Sequence, residues 1–423
     1  MSEKKRIYLC LAHMSEAGYE QKYVKEAFDT NWVVPLGPNV NAFEADLENF
    51  VNQSHPELAK RVVALSSGTS AVHLALIACG VQPGDEVCVQ SFTFCASSHP
   101  IKYLGATPVF IDSEKDSWNM DPMLLEEAIQ DRIKKTGKKP KAIIPVALYG
   151  MPYQVEEILK IAEKYDIPVI EDAAEGFGSR YDGQVLGTFG QYGVLSFNGN
   201  KMITTSGGGA LICPDQEAKN RVMFFATQAR EAYPYYQHEE IGYNYRMSNV
   251  CAGIGRGQMM VAEDHIRHHQ HIQKLYEKLL DGINGITVHQ SNNGKYESNF
   301  WLCSIILNAD LKVKGQESAY SEAVNGAVGG AAGVVHAGGS LHTDCEPNAN
   351  VEAMRKGLDE RGIEARPLWK PMHKQPVYRD CPAYLNGVSE SLFAQGLCLP
   401  SGPYVTDEDV AYIVDSIKQL IDE

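Results

Sequence analysis

The sequence predicts an α/β protein with a mainly parallel central sheet flanked by helices, followed by a smaller C-terminal α+β domain. Apolar runs rich in β-branched residues recur through the first 250 residues, and amphipathic helical patterns separate several of them. This alternation of apolar runs and helical patterns ends near residue 250. Strands that alternate with helices and are apolar on both faces are typical of a parallel sheet covered on both sides. Ligands of such sheets bind at the carboxyl ends of the strands.

Seven apolar runs are predicted to be strands of the first sheet. They are residues 61–67, 85–91, 107–112, 141–148, 167–172, 193–197 and 209–213. Helical patterns lie between several of these runs. In residues 154–166, for example, Val155, Ile158 and Leu159 form an apolar stripe at helical spacing.

The chain is predicted to divide into a large domain of residues 1–250 and a small domain of residues 251–423. The elements predicted for the small domain are one long helix over 255–283, a strand within 298–307 and a helix that ends at Gly362. Residues 323–350 are rich in Gly and Ala without a clear period, so we expect a flexible loop that is an insertion.

Composition excludes several classes of function. The formal net charge of −15 argues against nucleic acid as a partner, because phosphate binding needs a basic patch. The ten cysteines form no C-x-x-C pair, which favours reduced, buried thiols. No apolar run is long enough to span a bilayer and no signal peptide is apparent, so we expect a cytoplasmic protein without membrane contact.

Two strand ends carry residues that could bind a ligand. In ALSSGTSAVHLAL a strand gives way to a helix at Gly68 and Thr69. Free N–H groups at such a helix start could hold a phosphate, although an ordinary hydroxyl N-cap fits equally well. In IPVIEDAAEGFGS, Asp172 ends a strongly apolar strand, where a buried acid needs a cationic partner or serves as a helix cap.

A lone lysine follows the next strand. Lys201 lies in SFNGNKMITTSGGGAL, 29 residues beyond Asp172, between a strand that closes at Ser196 and a cluster of glycines. An isolated lysine of this kind is usually a surface charge. A phosphate cradle, a strand-end aspartate and a lysine on a glycine-flanked loop are, however, the parts that pyridoxal phosphate needs. Their order and spacing are more specific than any one of them.

These stretches, together with GYNYRMSN and RPLWKPMH, resemble the DegT/StrS family of pyridoxal phosphate-dependent nucleotide-sugar aminotransferases, which have fold type I. The resemblance covers nearly the whole chain except the Gly/Ala-rich segment. SFNGNKMITTSGGG is most similar to the subgroup that forms UDP-4-amino-4,6-dideoxy-N-acetylglucosamine, an intermediate of bacillosamine-type sugars. The resemblance therefore implies an amino-sugar biosynthetic transaminase.

The resemblance also implies roles for individual residues. Lys201 matches the lysine that forms a Schiff base with the cofactor, and Asp172 matches the partner of its pyridinium nitrogen. Glu175 lies near the ring, where many relatives carry His or Gln and the UDP-sugar subgroup carries Glu. The remaining matches are phosphate contacts at Gly68, Thr69 and Ser196, a ring-stacking aromatic at Phe94, and a phosphate contact from a second subunit at Asn244. A homodimer with shared active sites is the consequence.

The implied reaction moves the amino group of glutamate to the C4 ketone of a UDP-linked 4-keto-6-deoxy-N-acetylhexosamine in two half-reactions. Lys201 shuttles the proton in both, and we expect cationic groups around it. Further cations should hold the sugar diphosphate, and each candidate has an ion pair as its plain alternative. The candidates are Arg230, Arg246, Lys370 and His373.

Three other functions are possible. The first is a 3-keto-sugar aminotransferase, which the sequence distinguishes from a 4-keto-sugar enzyme only by its similarity to one subgroup. The second is a non-catalytic regulator that binds the cofactor. A dehydratase of the same family is disfavoured, since that activity is associated with loss of the lysine. His265 and His269 share a helical face, but the run HIRHHQH lacks a carboxylate or cysteine pattern, so we expect a solvated face and no metal.

Overall fold

The computed structural model describes residues 6–320 and 345–421. Most of the predicted Gly/Ala-rich loop, residues 323–344, lies outside the described residues. The described α-helices are α1 Tyr19–Asp29, α2 Pro38–Asn52, α3 Gly68–Ala78, α4 His99–Tyr103, α5 Pro122–Thr136, α6 Val155–Tyr165, α7 Gln216–Ala226, α8 Asn249–Met259, α9 Ala262–Leu280, α10 Ala349–Asp359, α11 Val388–Gln395 and α12 Asp407–Leu420.

The β-strands of the described residues are short and include all seven predicted runs. They are β1 Arg61–Leu65, β2 Glu86–Gln90, β3 Thr107–Ile111, β4 Ala142–Ile144, β5 Ile170–Asp172, β6 Arg180–Tyr181, β7 Gln184–Val185, β8 Tyr192–Ser196, β9 Gly209–Cys213, β10 Ile286–Val288, β11 Tyr296–Glu297, β12 Cys303–Leu307, β13 Arg366–Pro367, β14 Ala383–Tyr384 and β15 Gly396–Leu399.

The central sheet is mainly parallel, as predicted. Its strand order is β14-β3-β2-β4-β5-β8-β9-β1, and parallel bridges from Ile143 to Val169 and from Val146 to Asp172 join its two halves. Only β9 runs against its neighbours. Because β5 and β8 are parallel neighbours, Asp172 and Ser196 end at the same edge of the sheet.

A second sheet lies in the C-terminal part. Its order is β10-β12-β15-β13 and all of its neighbouring strands are antiparallel. Its apolar side chains form one buried cluster with those of α10 and α12. The domain boundary at residue 250 stays a prediction, since β14 comes from the predicted small domain and pairs with β3 of the central sheet.

The prediction of one helix over 255–283 is wrong. The chain breaks between α8 and α9, where Val261 has non-helical dihedral angles of −123° and 7°. The two helices pack differently, which explains the break. In α8, Gly253 and Gly257 allow close contact with the backbone of α1, whereas α9 contributes Ile272 and Tyr276 to the cluster around the second sheet.

The predicted solvated face at His265 and His269 is also wrong. Both side chains are buried, and their Nδ1 atoms lie 3.2 Å and 3.3 Å from the carbonyl oxygens of Met202 and Phe300. Burial lowers the pKa of His269 to about 3, so this ring is neutral. Within the described ranges no three metal-ligating side chains are grouped. No helix there is long and apolar enough to cross a bilayer.

Replacing Gly257 by Ala should destabilise the protein. A Cβ at this position would lie 2.4 Å from the backbone nitrogen of Glu20 in α1. Such overpacking costs about 1–3 kcal/mol of unfolding free energy, which outweighs the gain of about 1 kcal/mol from the better helix propensity of Ala. Gly294→Ala is the matched control, since its Cβ would meet no atom within 4 Å. Equal urea midpoints for the two variants would contradict the close packing of α1 and α8.

Candidate active site

A cavity of about 380 Å³ lies at the carboxyl ends of β5 and β8. It brings together seven of the residues singled out in the sequence. These are Gly68, Thr69, Phe94, Asp172, Glu175, Ser196 and Lys201. Their sequence separations are large, so the parallel arrangement of the strands is what places them on one cavity.

One end of the cavity is the start of α3. Ser67 caps this helix by accepting a hydrogen bond of 3.0 Å from the N–H of Ser70. The N–H groups of Gly68 and Thr69 have no partner within the helix and lie at its positive end. A Cβ on Gly68 would come within 3.1 Å of the Cβ of Ser196, so glycine lets the helix start lie against that hydroxyl. This end of the cavity is suited to an anion.

The Asp172 carboxylate is a buried polar group of the cavity. Ser97 Oγ donates to Oδ2 at 2.6 Å, and the N–H of Ala174 donates to Oδ1 at 3.1 Å. Burial raises the pKa of Asp172, while these two donors and the charge of Lys201 oppose that rise. A buried carboxylate with two neutral donors is costly unless a cation joins it.

Lys201 lies beside an acid and an indole. Its Nζ is 3.4 Å from Oε1 of Glu175 and 3.9 Å from the ring centroid of Trp301. The other oxygen of Glu175 accepts a 2.7 Å hydrogen bond from the N–H of Tyr149. Burial raises the pKa of Glu175, and Lys201 partly offsets that rise. The expectation of cationic groups around Lys201 is therefore wrong, because these two neighbours are acidic and aromatic.

Sequence reasoning missed three side chains of this cavity. Trp301 and Trp369 line it, and Ser97 connects Asp172 to Thr93 through hydrogen bonds of 2.6 Å and 2.8 Å. Phe94 is half exposed, and its ring centroid lies 5.2 Å from that of Trp369. Both tryptophans come from the C-terminal part of the chain. The only signal for them was their rarity, since the sequence holds four tryptophans.

Two of the predicted substrate cations are engaged elsewhere. The guanidinium of Arg246 is buried, forms an ion pair with Glu44 and donates to the carbonyl oxygen of Ala64 at 2.9 Å. His373 lies between Ser91 Oγ at 2.7 Å and Glu390 Oε1 at 3.1 Å. Neither Arg246 nor His373 lines the cavity, so we do not propose that they bind the substrate.

The other predicted residues lie outside the cavity of their own chain. Arg230 is exposed, with its guanidinium 4.2 Å from the ring centroid of Tyr236. Asn244 is also exposed. Lys370 lines a neighbouring cavity of about 350 Å³, which shares Thr93, Phe94 and Trp369 with the first.

The side chains of the cavity fit pyridoxal phosphate. A helix start and the Ser196 hydroxyl can bind a phosphate, while the buried Asp172 carboxylate can pair with a protonated ring nitrogen. The amine of Lys201 lies on the same cavity, where it can react with an aldehyde.

Comparison with known proteins gives the same result. The model of the DegT/DnrJ/EryC1/StrS aminotransferase family matches residues 15–328 and 332–418. The chain is 41% identical over 420 residues to EpsN of Bacillus subtilis strain 168, a protein provisionally named a pyridoxal phosphate-dependent aminotransferase; the match covers 98% of this chain and 96% of EpsN.

Two further matches span nearly the full chain. GDP-perosamine synthase of Escherichia coli O157:H7 is 34% identical over 413 residues, with 98% of each chain covered. The crystal structure of a DegT DnrJ EryC1 StrS aminotransferase from Brucella abortus has a TM-score of 0.80 at 26% identity, with 96% of each chain covered. The chain therefore belongs to the DegT/DnrJ/EryC1/StrS family of pyridoxal phosphate-dependent sugar aminotransferases.

Proposed function

We propose that the protein transfers the amino group of glutamate to the C4 ketone of a nucleotide-linked 4-keto-6-deoxy sugar, with UDP-4-keto-6-deoxy-N-acetylhexosamine as the acceptor. The observation that carries this proposal is the meeting of Lys201, Asp172 and the start of α3 on one cavity. The choice of acceptor rests on the likeness of SFNGNKMITTSGGG, and of Glu175, to the UDP-sugar subgroup.

Five residues of the cavity contact the cofactor in this proposal. The N–H groups of Gly68 and Thr69 and the hydroxyl of Ser196 bind the cofactor phosphate. Asp172 holds the proton of the ring nitrogen, and Phe94 covers the ring. When bound, pyridoxal phosphate supplies an aldehyde that accepts the amino group and a ring that draws electrons from the reacting carbon.

Lys201 is the proton carrier of the proposal. Its Nζ takes a proton from the α-carbon of glutamate and returns one to the sugar carbon that receives the amino group. Ser97 keeps the Asp172 carboxylate oriented through its 2.6 Å hydrogen bond. The charge of Asp172 would keep the ring nitrogen protonated, and a protonated ring would accept the electron pair left on the carbon that loses its proton.

The neighbouring cavity is the proposed place for part of the acceptor. Lys370 lies there, and the aromatic side chains of Phe94 and Trp369 form the wall between the two cavities. A lysine in this neighbouring cavity suits the diphosphate of a nucleotide sugar. A GDP-linked keto sugar is the second candidate, favoured by the 34% identity to a GDP-perosamine synthase over 98% of both chains.

The enzyme should aminate UDP-4-keto-6-deoxy-N-acetylhexosamine with glutamate, giving a C4 amine identified by NMR. UDP-linked 3-keto and GDP-linked 4-keto sugars complete the panel. Lys201→Ala should lose turnover by about 10³-fold or more, because the proton carrier is gone. Lys160→Ala, an exposed lysine on α6, is the control with unchanged turnover. An amine at C3, or turnover by the Lys201→Ala variant, would contradict the proposal, and amination of the GDP sugar alone would select the second candidate.

Asp172→Asn should stabilise the cofactor-free protein at neutral pH while it weakens catalysis. Burial raises the folded-state pKa of Asp172, so the stability present with a neutral carboxyl is lost as pH rises through that value. The amide avoids this loss, and each tenfold change in proton affinity corresponds to about 1.4 kcal/mol of unfolding free energy. In urea unfolding the advantage should be present at pH 7 and shrink as the pH falls towards 4. A wild type that is the more stable form at pH 7 without cofactor would contradict the buried-charge argument.

We also propose a homodimer in which Asn244 reaches the partner's cofactor phosphate. Asn244 is exposed, and α1 and the loop after it expose the apolar side chains of Phe28, Trp32, Val33 and Leu36. Exposed apolar surface of this kind is typical of an interface.

Mixing two inactive variants tests the shared site. In a dimer of one Lys201→Ala and one Asn244→Ala subunit, one site lacks both groups and the other keeps both, so activity should return on mixing after denaturation and refolding. Mixing Lys201→Ala with Asp172→Asn is the matched control, since both groups then act within one chain and no site is complete. An absence of recovery in the first mixture would place Asn244 outside the shared site.

A further inference from the structure

The amine of Lys201 occupies a small site of its own. Nζ lies 3.4 Å from Oε1 of Glu175 and 3.9 Å from the centroid of the Trp301 ring. The lysine side chain is 13% exposed and that of Glu175 4% exposed. The other titratable groups that interact with Lys201 are Asp172 and Cys10. A carboxylate and an indole face both favour the charged form of an amine.

Trp301 is held firmly in place. Its indole N–H donates to the carbonyl oxygen of Asn200, the residue before the lysine, at 2.7 Å. Its carbonyl oxygen accepts from Ser401 Oγ at 2.8 Å, and only 1% of the residue's surface is exposed. Phe300, directly before it, has a φ of 48°, in the left-handed region that bulky residues rarely adopt. Backbone strain of this kind persists where the surrounding contacts enforce a side-chain position.

Asn299 connects the backbone segments that carry Glu175 and Trp301, the two side chains beside the amine of Lys201. Its Oδ1 accepts from the N–H of Trp301 at 2.8 Å, and its Nδ2 donates to the carbonyl oxygens of Glu175 and Phe177 at 2.9 Å each. A Cβ on Gly150 would lie 1.8 Å from Oδ1 of Asn299, so glycine makes room for this amide. The acid and the indole therefore keep a set separation even though they lie far apart in the sequence.

We propose that Glu175 and Trp301 form an ammonium cage, a binding site for the free, charged amine of Lys201. The inference rests on the proposed function, in which Lys201 must leave the cofactor while amino groups are exchanged. Once Nζ has taken a proton from the reacting carbon, the cage holds the resulting ammonium on the cavity until that proton is returned, so that the side chain does not move into solvent. Trp301 is then a positioning residue that acts through Lys201.

Reductive methylation of the full-length, cofactor-free protein tests the cage. Formaldehyde with cyanoborohydride modifies only uncharged amines, so the rate at Lys201, measured by peptide mass spectrometry from pH 7 to pH 10.5, reports its charge. Lys160 is the internal reference. Trp301→Leu should raise the rate at pH 7 by about 2- to 30-fold, corresponding to a cation–π contact of about 0.5–2 kcal/mol. The gain should shrink towards pH 10.5, and Trp301→Phe should give a smaller gain because it keeps an aromatic face.

Each outcome either supports or overturns the cage. A purely structural role of Trp301 would raise the rate by the same factor at every pH, and that result, or no change, would overturn the cage. If Trp301→Leu fails to fold, Trp301→Phe and Glu175→Gln decide by the same pH-dependent gain. Adding pyridoxal phosphate to the wild type should protect Lys201 from methylation. If pyridoxal phosphate does not protect Lys201, the proposed function is overturned. If it protects Lys201 but the rate gain of Trp301→Leu is the same at every pH, the cage alone is overturned.

Discussion

The Asp172 carboxylate, buried at the end of β5, is the constraint on which the site depends. Its donors among the described residues are the neutral groups of Ser97 and Ala174, so without a cation its charge is stabilised incompletely. In the proposed function a protonated ring nitrogen supplies that cation, and the carboxylate in turn keeps the ring protonated. On this proposal, burial of the carboxylate is an unfavourable interaction that cofactor binding relieves, and the same carboxylate makes the ring reactive.

Three separate parts of the chain must be positioned around that carboxylate. The start of α3 follows β1, Lys201 follows β8, and Trp301 precedes β12. Parallel strand ends bring Asp172 and the loop of Lys201 to the same edge, whereas the indole is carried in from the C-terminal part and fixed by Asn299. The lysine therefore lies between an anion site, an acid and an aromatic face, which suits an amine that changes its bonding and its charge during one reaction.

Much of this arrangement could be predicted from the sequence, because it depends on local patterns. The seven strands, the loop of Lys201 and the strand-end Asp172 all follow from the apolar runs and from the polar and glycine residues that end them. The break between α8 and α9 could not be predicted, since it reflects the packing of the α8 glycines against α1, a tertiary contact that the helical pattern of the sequence does not show. The same holds for Arg246, whose partner Glu44 lies about 200 residues away, and for Trp301, whose contact with Lys201 spans 100 residues. Burial of His265 and His269 was likewise set by tertiary contacts.

The central claim is that the amine of Lys201 is the one that joins pyridoxal phosphate. Borohydride reduction of the cofactor-loaded enzyme, followed by peptide mass spectrometry, tests it most directly. The account predicts the mass of the reduced cofactor on the peptide that contains Lys201, with loss of that label in Lys201→Ala. A label on another lysine, or no covalent label on an enzyme that has bound the cofactor, would contradict it.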